Sequence, residues 1–366
     1  MSNEAAPARV STLELFFDLV FVFTITQVSE LVLHAHGTGD LGRAALILLV
    51  VWWMYGGFAW LTNNVGTEKP KARILILAAT AGFLVMALAI PQAFGRDGFA
   101  FGLAYLMVNV IHAVLFLHAP NESARAIFNI APFNLSTAAL IAIAGLTPPA
   151  WSIGLWLTAV AVLILAPLSG RTGGFAVEPA HFVERHGLVL IIALGESIIS
   201  IGLGAAGEPV TLELVTASVL ALALNAGIWW TYFDEDERAA EHALTRAQGR
   251  ERGQMAFRAF GYGHVLMLAG IVVLAAGVKR FFQHLHDPAQ LATAALLGCG
   301  LAIYLLGDLV FRRFVGIQRG ASRVPGVVAS LGSIAIGTAF SPLAQIASLV
   351  LVLVAVVRAG RRSREI

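Results

Sequence analysis

Twelve long apolar runs separated by short polar links fill almost the whole chain, the first at about residues 13–34 and the last at about 342–359. A bilayer core takes roughly 20 residues of helix to cross, and backbone amides in lipid must find their partners within the chain. A sequence patterned this way is predicted to be all-α, a polytopic integral membrane protein with about twelve transmembrane helices. Composition agrees: 58% of residues are hydrophobic and 13% charged, with a mean hydropathy of +0.80, whereas a soluble domain carries about 25% charged residues. The single cysteine, Cys299, excludes a disulfide framework, a CxxC pair and a thiolate zinc site. A net charge of +2 gives no basis for nucleic-acid binding, and no metal or cofactor motif is present. Residues 1–10 lack the basic stretch, short apolar core and small-residue cleavage site of a signal peptide.

Basic residues orient the spans, since they collect on the cytoplasmic side. With twelve spans and a cytoplasmic N-terminus, twenty of the twenty-four Lys and Arg fall inside, and only Arg43, Arg96, Lys279 and Arg280 fall outside. A miscounted helix would invert every later loop, so both termini are expected in the cytoplasm. Ser11-Thr12-Leu13-Glu14 reads as a capping box, with Ser11 as N-cap and Glu14 three residues on.

The two halves, 1–168 and 169–366, echo each other in order. Trp52-Trp53-Met54-Tyr55 matches Trp229-Trp230-Thr231-Tyr232, and Gly102-Leu103-Ala104 with Tyr105 and Asn109 matches Gly300-Leu301-Ala302 with Tyr304 and Asp308. Pro148 and Pro342 precede the sixth and twelfth runs. Because six is even, the expectation is two parallel six-helix repeats related by an axis along the membrane normal. Counting back from the tryptophan pairs reaches Asp18 in one half and Glu196 in the other.

Charged groups inside apolar spans cost at least about 2.5–3.5 kcal/mol on insertion scales and so face protein or a water-filled cavity. Asp18, one turn beyond Glu14, and Glu196, about twelve residues into its run, are the ion- or proton-coupling candidates. For Asp18 the structural alternative is a pair with a loop arginine such as Arg73 or Arg125. The segment 178–186 packs Glu178, His181, Glu184, Arg185 and His186 together, with His181 and Arg185 on one face if a helix starts at Pro179. With Glu14, the residues Glu184, Arg185 and His186 form a candidate cytoplasmic gate. Asn109, His112, Asn134, His264 and Asp308 are candidate cavity-lining groups, the histidines having a single interhelical hydrogen bond as their simplest role. Asp308 is expected to pair with Arg312, one turn on. The link 234–253, acidic then basic, reads as a solvated cytoplasmic helix, and the arginine-rich tail as an anionic-lipid contact.

Two segments carry a likeness to a known family. Glu14-Leu15-Phe16-Phe17-Asp18-Leu19-Val20-Phe21-Val22-Phe23 resembles the opening signature of the bacterial low temperature requirement A (LtrA) family. Glu184-Arg185-His186-Gly187-Leu188, followed by Ala193-Leu194-Gly195-Glu196-Ser197-Ile198, resembles its second signature. The resemblance implies a multi-pass protein of the bacterial cytoplasmic (inner) membrane and leaves its molecular activity unassigned. A two-repeat layout opening on Phe-Phe-Asp is also similar to the endolysosomal potassium/proton channel family, whose motif is Phe-Ser-Asp; the second half here departs from it, with Leu194-Gly195-Glu196. The leading expectation is a small-solute transporter coupled to protons or monovalent cations, embedded among membrane lipids and open to oligomer formation. The alternatives are a cation/proton channel and a lipid-related or structural protein of cold adaptation. No nucleophile–base pair, HExxH motif or phosphate loop points to an enzyme.

Overall fold

The structure, a computed structural model, describes residues 10–119, 121–166, 175–234, 236–287, 290–317 and 323–362. Of the residues used above for orientation and charge patterning, Arg9, Arg171, Glu235, Arg319 and Arg364 lie outside the described residues. Among the described residues every regular element is helical: α1 (Thr12–Leu33), α2 (Thr38–Asn64), α3 (Pro70–Ala89), α4 (Gly98–Phe116), α5 (Asn121–Ala144), α6 (Pro149–Leu165), α7 (Pro179–Gly204), α8 (Leu212–Phe233), α9 (Asp236–Arg246), α10 (Gly249–Ala256), α11 (His264–Gln283), α12 (Leu291–Val315), α13 (Arg323–Ala339) and α14 (Pro342–Arg362). A π-helix at Phe257–Gly263 joins α10 to α11.

Local chemistry sets many of these boundaries. The capping box forms as the sequence predicts: Ser11 N–H donates to Glu14 Oε2 at 2.8 Å, and Glu14 N–H donates to Ser11 Oγ at 3.4 Å. Proline opens α3, α6, α7 and α14, where its missing N–H is no loss. Thr211 caps α8 by accepting from Leu214 N–H at 3.1 Å. Gly316, at φ +83°, ends α12 in the left-handed region that favours glycine.

Among the described residues ten stretches are long and apolar enough to cross a membrane, and α6 and α13 are apolar but shorter. The chain is a multi-pass membrane protein. Its surface fits a lipid solvent: α1 exposes Leu15, Phe16 and Leu19 while burying Glu14 and Asp18. The eighth run forms α8 and ends at Phe233, and α9 follows as a separate helix within the link 234–253.

The described residues fall into two compact units. The first comprises Met1–Val28, Gly37–His186 and Leu244–Ala256, the second Ser29–His36, Gly187–Ala243 and Phe257–Ile366. Within the first, α3 packs on α4, α4 on α5, α5 on α6, and α2 on α4 and α6. Its aromatic centre stacks Phe17 on Phe58, with ring centroids 5.1 Å apart, and sets Phe83 edge-on to Phe17. Within the second, α11 packs on α12, α12 on α13, α13 on α14, and α14 on α8. Small residues allow the close approaches: a Cβ on Gly102 would strike the backbone of Ala142, and one on Gly270 the backbone of Tyr304. Gly300 meets Leu274 of α11 rather than α13, so the two Gly-Leu-Ala triplets serve contacts with different neighbours.

Candidate functional site: a buried ion cluster in the first unit

The capping box places Glu14 in the first turn of α1, and one further turn brings Asp18 onto the same face. Pro179 starts α7 so that His181 and Arg185 share a face as well. The two faces meet. Arg185 Nη1 lies 3.0 Å from Glu14 Oε1, and Arg185 Nη2 donates to Asp18 Oδ1 at 2.9 Å. His181 Nε2 is 3.1 Å from Glu14 Oε1. Exposure is 2% for Glu14, 0% for Asp18, 5% for His181 and 1% for Arg185. The arginine that engages Asp18 is therefore neither Arg73, whose Nε donates to Thr67 O, nor Arg125: it comes from α7, 167 residues along the chain. Tertiary packing of two helices outweighs the loop arginines that sequence proximity favours.

Aromatic rings hold the guanidinium in place, with Phe17 and Tyr55 centroids 5.7 and 5.8 Å from its carbon. Tyr55 Oη donates to Arg185 O at 3.4 Å. Asn63 of α2 fixes the start of α7: its Oδ1 accepts from Glu178 N–H at 2.7 Å, and its Nδ2 donates to Glu178 O at 3.2 Å. That Nδ2 also lies 3.1 Å from His181 Nδ1. With the amide oriented by the Glu178 backbone, His181 Nδ1 is the acceptor, and its Nε2 carries the hydrogen toward Glu14.

The remaining gate candidates do not join this cluster. Glu184 is half-buried and accepts from Val10 N–H at 3.3 Å. His186 is buried, with Nδ1 2.8 Å from Phe182 O of its own helix and its ring against Phe182 and Trp52.

The second unit holds another buried ion cluster. Arg312 donates from Nε and Nη2 to the two oxygens of Asp236, both at 2.6 Å, and Arg323 Nε donates to Asp308 Oδ2 at 2.6 Å. Arg312 and Asp308 are only in looser contact, 3.7 Å apart. All four residues are buried. The expected pair one turn apart on α12 thus gives way to two partners from other helices. The link 234–253 also departs from a solvated helix: Asp236, Ala240 and Leu244 form a buried stripe on α9, and outside that stripe Asp234 pairs with Arg361 at 2.9 Å.

The family model described as Bacterial low temperature requirement A protein (LtrA) matches residues 9–358 of this chain. The chain belongs to the LtrA family. A relative from Rhizobium meliloti (strain 1021), Uncharacterized protein RA0937, is 29% identical over 323 residues, covering 83% of this chain and 77% of the relative. The two segments that resemble the LtrA signatures are the ones that supply Glu14, Asp18 and Arg185 to the cluster of the first unit.

The other candidates of this LtrA chain are buried groups with mostly local partners. Glu196, 1% exposed, belongs to the second unit and accepts from Ser200 Oγ at 3.4 Å. Asn109 Nδ2 donates to Tyr105 O of its own helix at 2.7 Å. His112 Nε2 is 3.0 Å from Gly57 O of α2, an interhelical hydrogen bond of the simplest kind. Asn134 accepts from Trp53 Nε1 at 2.9 Å, leaving Ser136 Oγ to donate to Pro132 O at 2.6 Å. His264 Nε2 meets Tyr232 Oη at 3.2 Å. Two residues outside the candidate set, Asp236 and Asn63, complete the clusters. Asp236 was legible in the four-residue spacing to Ala240 and Leu244; Asn63 carried no signal.

Proposed function

We propose that this protein is a small-solute transporter coupled to protons or monovalent cations, and that Glu14, Asp18, His181 and Arg185 form its coupling site. The observation that carries the reading is the composition of the cluster: two carboxylates and one guanidinium, all buried, with a histidine against one of the acids. A purely structural ion network gains from charge balance, because each buried ion costs several kcal/mol to desolvate. A cluster left with a surplus carboxylate is suited to taking up and releasing a cation. Glu196, buried beside Ser200 on α7, is the second coupling candidate.

The reading includes a topology of twelve spans, with α6 and α13 as short ones, in two parallel six-helix repeats with both termini in the bacterial cytoplasm. The order of packed neighbours supports it: α2 with α6 and α3 through α6 in sequence in the first unit, α8 with α14 and α11 through α14 in sequence in the second. The Arg185 guanidinium, seated between the two acids, favours a carrier over a cation pore lined by Asp18.

The test is flux in proteoliposomes, read with an internal pH dye and with solute uptake under imposed proton or sodium gradients. Saturable, gradient-driven uptake that is lost in Asp18→Asn is expected. Uptake indifferent to both Asp18→Asn and Glu196→Gln removes the coupling role, and unitary currents too large for a carrier replace the transporter with a channel.

A further inference from the structure

We propose that Asp18 is a proton-binding site, occupied by a single proton on Oδ2 in the state described, so that the ion taken up by the cluster is a proton and not a metal cation. The inference deepens the coupling reading above and rests on it for its role in transport, but the protonation itself is a property of the folded protein alone.

The argument is a count of charges followed by a count of donors. The groups facing Asp18 are Glu14 from its own helix, Tyr55 from α2 and Arg185 from α7; His181 faces Glu14. The Asn63 amide donates toward His181 Nδ1, which directs Nε2–H toward Glu14. Two ionised acids against one guanidinium would leave a net negative charge in a site shielded from water, and one proton removes it.

Donors then locate the proton. Glu14 Oε2 accepts from Ser11 N–H and Ser11 Oγ, both at 2.8 Å, and has His181 Nε2 3.4 Å away. Glu14 Oε1 touches both Arg185 and His181. Every one of these neighbours favours an anion at Glu14. Neither Glu14 Oε1 nor Asp18 Oδ2 has a hydrogen-bond partner among the described residues, but Glu14 Oε1 lies against Arg185 and His181, whereas the hydrogen bond from Arg185 to Asp18 goes to Oδ1. With no donor at Asp18 Oδ2, a neutral carboxyl costs less there than an ionised one, because burying an uncompensated charge costs more than burying a polar group. A sodium or potassium ion bridging the two acids would need the position that Arg185 fills.

The mechanistic consequence is an exchange. When Asp18 gives up its proton, the cluster must gain positive charge or open to water. The His181 side of the cluster is held by the Asn63 amide, which also fixes the start of α7. Proton loss from Asp18 is thereby linked to the helix start that positions Arg185.

The experiment is infrared spectroscopy of the purified full-length protein in lipid nanodiscs, titrated with pH in sodium and in choline buffers, reading the C=O stretch of protonated carboxyl groups. Wild type is expected to show a carboxyl band that titrates as one proton and is the same in both buffers. Asp18→Asn loses that band, and Glu14→Gln, which removes the surplus charge, shifts it to more acidic pH. The second variant keeps the test decisive if the first does not fold. A band that persists in Asp18→Asn, or that sodium displaces, overturns the proposal. Sodium-driven uptake without such a band would sink the proton site while leaving the transporter reading intact; a band without any coupled flux would do the reverse.

Discussion

Each unit of this protein buries a cluster with two carboxylates, yet the two clusters differ by one guanidinium. In the second unit Asp236 faces Arg312 through two hydrogen bonds and Asp308 faces Arg323, so acids and bases match one for one. In the first, Glu14 and Asp18 share Arg185, with His181 as fourth member. The same desolvation penalty, several kcal/mol per ion, is met in the second unit by pairing and in the first only in part. The balanced cluster ties α9, α12 and α13 together. The unbalanced one, on the proposal made above, holds a site for a proton. On the coupling reading proposed above, the imbalance rather than buried charge alone distinguishes the coupling cluster from the structural one.

The comparison can be broken at its arginines first. Arg185→Met strands both acids of the first unit, and unfolding measurements in detergent should show a loss of about 3–5 kcal/mol. Adding Glu14→Gln and Asp18→Asn to that variant should recover most of the loss, which a defect in packing would not. Arg323→Met should cost less, about 3 kcal/mol at most, because Arg312 remains 3.7 Å from Asp308. His181→Ala takes away a donor to Glu14 and should cost about 1.5–3 kcal/mol. At the small end, Arg361→Ala breaks the half-exposed pair with Asp234 and should change stability by under about 1 kcal/mol. An Arg361 effect as large as that of Arg185 would show that burial is not what separates these contacts.

Much of this was written in local sequence. The apolar runs set the helices, Ser11 with Glu14 set the start of α1, and Pro179 set the register that puts His181 and Arg185 on one face. What local sequence does not carry is which face meets which. The Asp18–Arg185 bond joins residues 167 apart, and no spacing rule reaches across that distance. Asp308 misled for the opposite reason: Arg312 stands at an ideal helical offset, but tertiary partners offer shorter, better-aligned bonds. Asp236 was lost in a charge run because composition averages over both faces of a helix, while the period of α9 buries only one.

The most direct test is the thermal stability of wild type, Asp18→Asn and Asp308→Asn across pH in the same lipid nanodiscs. If the folded first unit binds one proton more than the unfolded chain, wild-type stability falls as pH rises. Asp18→Asn, which mimics the protonated acid, should remove that dependence and match or exceed wild type in mildly alkaline buffer. Asp308→Asn, which leaves Arg323 without its carboxylate, should melt lower at every pH. Equal destabilisation by the two asparagine variants in alkaline buffer, with the wild-type pH dependence intact in Asp18→Asn, would contradict the account.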